Sequence, residues 1–524
     1  MLVNIIGAKC VGIDAVPVNV EVDITAGIGI HLVGLADAAV RESLLRTVTA
    51  LQSEGFRIPG KKIVINLAPA DVHKQGGGYD VPIALGIIAA SGQRDLPGIG
   101  KYLIMGELGL DASVRYVRGA LPMADLAARI GLRGCILPAD SAIETADDGS
   151  LEIFGVSTLT EVLRILEEKE DPSDLLSVNR PDFGRMDPLR PGAYVDLADI
   201  RGQETARRGL EIAASGGHNI IMVGPPGSGK SSLAKALPGI LPPMDREEAV
   251  ITSKIYSVAG LGWQGRGLMR ERPFRAPHIS ASLAAVLGGG SGGAIVPGEV
   301  SLATNGVLFL DEFCEAPKAV TEALRAPLED RKVTVSRLRS KVEFPASFML
   351  VAAANPCPCG YYGEGNACTC TPGRRAAYIS RLSGPLMDRI DLHVRVRPVP
   401  TTALVRGEKN EPSAAVAARV KAAREIQRRR FEGTGIFTNA EMSGRDLDRL
   451  CPLSEECKST LEKLIDSLGL SARACTRIIR IARTIADLEA AAESRPEAGD
   501  ILPAHLLEAA GYRFLDRKDM FAEW

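Results

Sequence analysis

GPPGSGKSS, residues 224–232, follows directly on the apolar run NIIMV at residues 219–223 and leads into LAKAL. It meets every fixed position of G-x-x-x-x-G-K-[ST], with a strand-like run before it and a helix-like run after it, as that motif requires. Gly224, Pro225, Pro226, Gly227, Ser228 and Gly229 then form a loop whose backbone N–H groups turn inward toward phosphates. Lys230 adds a compact charge for the β and γ phosphates, Ser231 a hydroxyl for Mg²⁺, and Ser232 closes the loop. The expected cofactors are ATP and Mg²⁺.

Working outward, 81 residues separate Lys230 from Asp311, which with Glu312 ends the apolar run VLFL. A buried strand with this ending supplies an aspartate that organises Mg²⁺ and a glutamate that polarises the attacking water. The same letters also fit a strand followed by an acidic helix start, and the upstream loop decides for the first reading. A third apolar run, SFMLVAAAN, ends at Asn355, whose amide suits either a water beside the γ-phosphate or a plain Asn-Pro turn. Strands alternating with KSSLAKAL and KAVTEALRAPLED predict a parallel α/β sheet with nucleotide at the strand carboxyl ends. GPLMDRIDLHV sets Arg389 between two aspartates, and SARACTRIIRIARTIADLE carries Arg473, Arg477 and Arg480 on one helix. An arginine that reaches a γ-phosphate contributes on the order of 10³ or more in rate, while surface pairing is the ordinary use of each.

With 524 residues, 46% of them hydrophobic, the chain has enough apolar material for two or three separate cores. Sixty-two basic residues against 64 acidic ones leave a net charge of −2, so any nucleic-acid contact must be local rather than a global field. The N-terminus lacks the basic start and cleavage site of a leader, and no window is apolar enough to span a membrane, so a cytoplasmic protein is expected. Residues 1–166 mix alternating stretches such as VNVEVDI and KIVINLA with helical ones and read as an α+β domain. A charged, proline-rich linker at 167–195 leads into the nucleotide-binding core at 196–400. Helical spacing over 401–510 reads as a lid, and 511–524 as a tail.

Four of the ten cysteines, Cys357, Cys359, Cys368 and Cys370, form C-x-C-x8-C-x-C just after Asn355. Four thiolates close a tetrahedral structural Zn²⁺ site, and free thiols are the alternative. RKVTVSRLRSKVEFPA alternates as a hairpin tipped by Arg337, Arg339 and Lys341, cations that either follow a phosphate backbone or sit solvated on an edge strand. The helix around Arg419, Lys421, Arg424, Arg428, Arg429 and Arg430 offers a second basic face, more simply read as solvated. The glycine run GGGSGG lacks a Lys-Ser pair and reads as a loop rather than a second phosphate site.

GPPGSGKS, GVLFLDEF, AAANPCPCG, GPLMDRIDLHV and GLSARACTRIIRIARTIADL occur in this order, as do ADVHKQGGGYDVPIALGIIAASGQ and RPFRAPHIS. On these motifs the chain resembles, over essentially its whole length, the YifB/ComM family of Mg-chelatase-like AAA+ ATPases. The resemblance implies a P-loop core with a parallel sheet and helical lid, preceded by an α+β Lon-protease-like domain. It places Lys230 and Ser231 at Walker A, Asp311 and Glu312 at Walker B, Asn355 at sensor 1, Arg389 at a trans-acting finger and Arg473 at sensor 2. It also implies a homo-oligomer, as a hexameric ring. Gly78 and Pro122 fall where Lon-type enzymes carry a nucleophilic serine and its lysine, and neither residue can do that chemistry. Where relatives show a histidine, this chain has Thr304.

The leading functional reading is an ATP-driven ring motor on single-stranded or branched DNA, of the branch-migrating helicase type used when incoming single-stranded DNA recombines. A chelatase-type motor that remodels a protein partner is the alternative. A protease or unfoldase is disfavoured by the missing Ser–Lys pair.

Overall fold

Each of the two main sheets forms where the sequence alternates or runs apolar. The computed structural model describes residues 2–34, 38–70, 74, 76–145, 151–177, 194–262, 267–290, 295–337, 340–363, 367–382, 384–400, 402 and 409–516. In the first sheet the spatial order is Gly29–Val33, Lys62–Ala68, Asp14–Thr25, Val3–Val11, Tyr102–Ile104, Gly134–Pro138 and Glu152–Val156. Val18, Val20 and Val22 point to one face and are fully buried, as the period of two in VNVEVDI demands. Helix Asp80–Ala90 packs on that face, and a single apolar core runs from Val3 to Leu166.

The second sheet is wholly parallel, in the order Phe274–Arg275, Val307–Leu310, Met349–Ala354, Ile220–Val223 and Leu392–Arg395. Ile220 and Met222 face one core while Ile221 and Val223 face another, and Val307, Phe309 against Leu308, Leu310 divide the same way. Burial on both faces is why these strands read as unbroken apolar runs rather than alternating ones. The fold is thus mixed α/β with a parallel sheet and a helical C-terminal region. That region comprises helices Ser413–Arg430, Gly444–Leu450, Glu455–Leu468, Ala472–Ala492 and Pro503–Gly511. It shares a core with helix Glu204–Gly216 rather than standing apart.

Several details differ from the sequence reading. KAVTEALRAPLED is two helices, Lys318–Ala323 and Arg325–Asp330, with the break beside Pro327, which has no N–H to continue the ladder. The first residues of the expected tail close the core: His393 N donates to Tyr512 O at 2.7 Å, and buried Arg513 donates to Asp391 O at 2.9 Å. The basic helix is tied to its own protein. Arg419 bonds Glu211 and Glu411, Arg424 donates to Ala214 O at 3.0 and 2.8 Å, and Arg430 pairs with Asp487.

The first domain docks on helix Arg246–Ala259, which follows the phosphate-loop helix. Lys254 Nζ reaches Asp125 at 3.1 Å and Asp14 at 3.3 Å, Ser257 Oγ donates to Glu144 at 2.7 Å, and Gly119 N donates to Ser257 O at 3.0 Å. Leu121 joins Met244, Ala249, Leu268 and Met269 in a small core across this junction. The hairpin forms as strands Lys332–Arg337 and Ser340–Pro345, with Val333, Val335, Val342 and Phe344 buried on one face and Lys341 exposed. Arg339, the side chain of Arg337, residues 291–293 of the glycine run, most of the linker and residues 517–524 lie outside the described residues.

Candidate nucleotide site

Three strand ends meet at the carboxyl edge of the parallel sheet. Gly227 and Gly229, with φ of 75° and 94°, take left-handed conformations that a side chain would oppose, and so let the chain turn between strand Ile220–Val223 and helix Lys230–Ala236. Lys230 Nζ donates to Gly224 O at 2.7 Å, to Pro225 O at 2.8 Å and to Asn355 Oδ1 at 3.3 Å. Burial pulls its pKa below the ordinary lysine value, against the opposing field of Asp311. Ser231 Oγ donates to Asp311 Oδ2 at 2.9 Å, so hydroxyl and carboxylate present adjacent hard oxygens of the kind Mg²⁺ takes. Glu312 is exposed at φ 48°, a left-handed conformation costing on the order of 1–3 kcal/mol that aims it off the strand end. Because strand Met349–Ala354 lies between the other two, Asn355 sits between the lysine and the carboxylates. The structure therefore brings Lys230, Ser231, Asp311 and Asn355 together, with Glu312 adjoining.

Sequence reasoning missed Gln203. Its amide donates to Ser228 O at 2.9 Å and to Arg397 O at 2.6 Å, lashing the segment before helix Glu204–Gly216 to the phosphate loop. A cavity of about 650 Å³ opens there, lined by Gly202, Gln203, Thr205, Arg397 and Tyr512 among others.

Arg389 and Arg473 lie elsewhere, at the opposite edge of the same sheet. Asn219, immediately before the phosphate-loop strand, accepts from Leu350 N through Oδ1 at 2.8 Å and donates through Nδ2 to Arg389 O at 3.0 Å. Five residue steps from Asn219 to Gly224 at about 3.3 Å each separate the two edges by about 16 Å. Arg389 there pairs with Glu329 and donates to Pro385 O at 2.6 Å, while Arg473 donates to Asp388 at 2.6 Å and is 72% exposed. Both line a cavity of about 530 Å³ with Arg477 and Arg480.

In the wall of that cavity Asp391 and Arg477, both from stretches already singled out, join a buried network with His218 and Thr484, which no motif announced. Asp391 accepts from Arg477 at 2.6 Å and meets His218 Nδ1 at 3.1 Å, and His218 Nε2 meets Thr484 Oγ1 at 2.8 Å. Burial alone would raise the Asp391 carboxyl, but Arg477 and the His218 bond outweigh it and hold the group well below the usual carboxylate range. Just beyond Asn355, the sulfurs of Cys357, Cys359, Cys368 and Cys370 all lie within 4.8 Å of one another.

Comparison with known proteins supplies the family. Residues 196–404 match the family model described as magnesium chelatase, subunit ChlI, and residues 410–513 match its ChlI C-terminal model. A third model, subunit ChlI of Mg-chelatase, matches residues 20–141. The YifB protein of Salmonella typhimurium is 42% identical over 514 residues, covering 97% of this chain and 96% of the relative. The chain belongs to the YifB/ComM family of Mg-chelatase-like AAA+ ATPases. A second family member, the competence protein ComM of Haemophilus influenzae, is 40% identical over 511 residues, 97% of this chain and 96% of its own. Membership carries ATPase chemistry with nucleotide and Mg²⁺, which the Lys230–Ser231–Asp311 geometry fits.

The Lon-like part of the resemblance is partial. An archaeal Lon protease of Halobacterium salinarum is 33% identical over 114 residues, 22% of this chain and 16% of the relative. A Cβ at Gly78 would stand 3.0 Å from Met105 Cε and 3.5 Å from Val117, so apolar side chains wall that position. Among the described residues no helix is long and apolar enough to cross a membrane.

Proposed function

We propose that this AAA+ ATPase is a ring motor acting on DNA, of the helicase or branch-migration type that serves recombination of incoming single-stranded DNA. The observation that carries the ring is the division of the site: phosphate loop and carboxylates lie at the carboxyl edge of the sheet, Arg389 and Arg473 at its amino edge, the two edges being about 16 Å apart along the strand. No copy folds its own arginines onto its own loop, whereas neighbours stacked edge to edge in a hexamer bring them together.

Within one copy, the loop N–H groups bind the phosphates and Lys230 turns from its carbonyl partners toward the β and γ oxygens. Ser231 and Asp311 would hold Mg²⁺, which when bound would neutralise charge on the phosphates. Glu312 accepts the proton of the attacking water, and Asn355 orients that water while touching Lys230. The base occupies the cavity beside Gln203. Arg389 of a neighbouring copy leaves Glu329 and stabilises charge at the γ-phosphate, with Arg473 beside it.

DNA is favoured by the relative named a competence protein and by Lys341 near the hairpin tip, where a cation can follow a phosphate backbone. The ChlI descriptions of all three matching models favour the second reading, a chelatase-type motor working on a protein partner. The deciding experiment measures ATP turnover with single-stranded, branched and duplex DNA at two salt concentrations. Stimulation by branched or single-stranded DNA that fades with salt supports the first reading; stimulation by a protein partner alone supports the second and refutes the first.

A further inference from the structure

The strand that ends at Asn355 runs directly into NPCPCGYYGEGNACTCTP, a segment with almost no apolar material to fold around. Pro356, Cys357 and Gly360 are its buried members, and most of the others described are exposed or half-buried. So little apolar burial holds the segment weakly in one shape, and a covalent or metal cross-link would hold it firmly.

Its cysteines supply the means. Cys357 Sγ lies 3.3 Å from Cys359 Sγ and 3.8 Å from Cys368 Sγ, and Cys359 Sγ is 3.7 Å from Cys368 Sγ. A disulfide requires about 2.05 Å, so no pair is bonded, and all ten cysteines are free. A tetrahedron of sulfurs about 2.3 Å from a central Zn²⁺ has edges of about 3.8 Å, which two of these three separations match. Four sulfurs with no oxygen or nitrogen ligand select a soft or borderline metal over Mg²⁺, and four protein ligands leave no open position for chemistry. Among the described residues this is the one cluster of histidine, cysteine or carboxylate groups with such convergence.

We propose that Cys357, Cys359, Cys368 and Cys370 hold a structural Zn²⁺ that fixes this segment as a buttress behind the phosphate loop. The contact is specific. Gly360 turns at φ 86°, its N donating to Cys357 O at 2.9 Å, and a Cβ there would stand 2.7 Å from Pro226 Cδ. On the far side Arg375 lies over the Tyr362 ring at 4.1 Å, and Thr371 caps helix Pro372–Ile379. Zinc binding releases the thiol protons to solvent, and the ion, by cross-linking the four thiolates, fixes the segment that joins Asn355 to Gly360 against Pro226. The metal site stands whether or not the motor reading is right; only its effect on nucleotide binding rests on that reading.

The test is metal analysis of the full chain as purified, by elemental mass spectrometry, with a thiol-blocking reagent used to release the ion into a zinc indicator. The result expected is about one zinc per chain, released in step with four thiols, retained in Cys10→Ser and Cys475→Ser and lost in the double variant Cys357→Ser/Cys370→Ser. Cobalt taken up in its place gives the visible absorption of a tetrahedral thiolate complex. Gly360→Ala, which leaves every sulfur in place, keeps the zinc and weakens binding of a fluorescent ATP analogue. Preparations with all four thiols freely reactive and no zinc, with an iron chromophore, or with a Cys357–Cys359 disulfide would each overturn the proposal.

Discussion

Asn replacing Asp391 removes one charge from the buried network that joins the phosphate-loop strand to the lid, and its consequence can be worked out. The Asp391 side chain is 2% exposed and its partner Arg477 20%. Removing one partner of a buried pair typically costs about 3–5 kcal/mol, because the other charge stays desolvated. At about 2 °C per kcal/mol for a large folding unit, Asp391→Asn lowers the core's melting temperature by about 6–10 °C at pH 7. The Asp391 carboxyl titrates well below an ordinary aspartate, so the pair's contribution is complete above about pH 4 and is lost as pH falls through the folded-state value. The parent and variant curves therefore converge only in acid. Arg473→Ala, which breaks an exposed pair with Asp388, shifts melting by less than about 2 °C. Differential scanning calorimetry from pH 8 down to about pH 2 reads all of this, with the gap between parent and Asp391→Asn constant above about pH 4 and closing below it. Equal shifts for the two variants, or a melting temperature for Asp391→Asn within a degree of the parent, would refute the reasoning.

Glu312→Gln keeps ATP binding and lowers turnover on the order of 10²–10⁴-fold, read by filter binding beside phosphate release. Asn355→Ala, which strips Lys230 of a partner 3.3 Å away, costs about tenfold in turnover and spares the fold by circular dichroism. Lys341→Ala weakens DNA binding alike for all sequences and lowers the slope of log affinity against log salt by about 1, measured by fluorescence anisotropy.

What the sequence made legible was local. GPPGSGKSS, VLFLDE and SFMLVAAAN each carry strand, turn and chemical group within a dozen residues, and doubly covered strands leave an unmistakable apolar run. Contacts between distant segments left no such trace. His218 meets Asp391 across 173 positions and Thr484 across 266, so a histidine that reads as unremarkable proves to link the sheet to the lid. At helix Ser413–Arg430 the cluster of cations reads most simply as a solvated face, and for three of them the structure differs. Arg419, Arg424 and Arg430 instead satisfy carboxylates and a carbonyl of this same chain, because a long stem can bury against one wall while its head reaches a partner. The hairpin shows the same limit in reverse: its charged letters were visible, but the burial of Val333, Val335, Val342 and Phe344 against the core depends on what lies beneath.

The central claim is that ATP is split at the junction between two copies, with the phosphate loop from one and Arg389 from the next. Lys230→Ala and Arg389→Ala are each purified and assayed alone, then mixed in equal amounts after dissociation and reassembly. The account predicts that both variants are inactive alone and that the mixture regains ATP turnover, since some junctions then pair an intact loop with an intact arginine. A mixture as inactive as its parts, or an Arg389→Ala protein that turns over ATP at the parent rate, would contradict it.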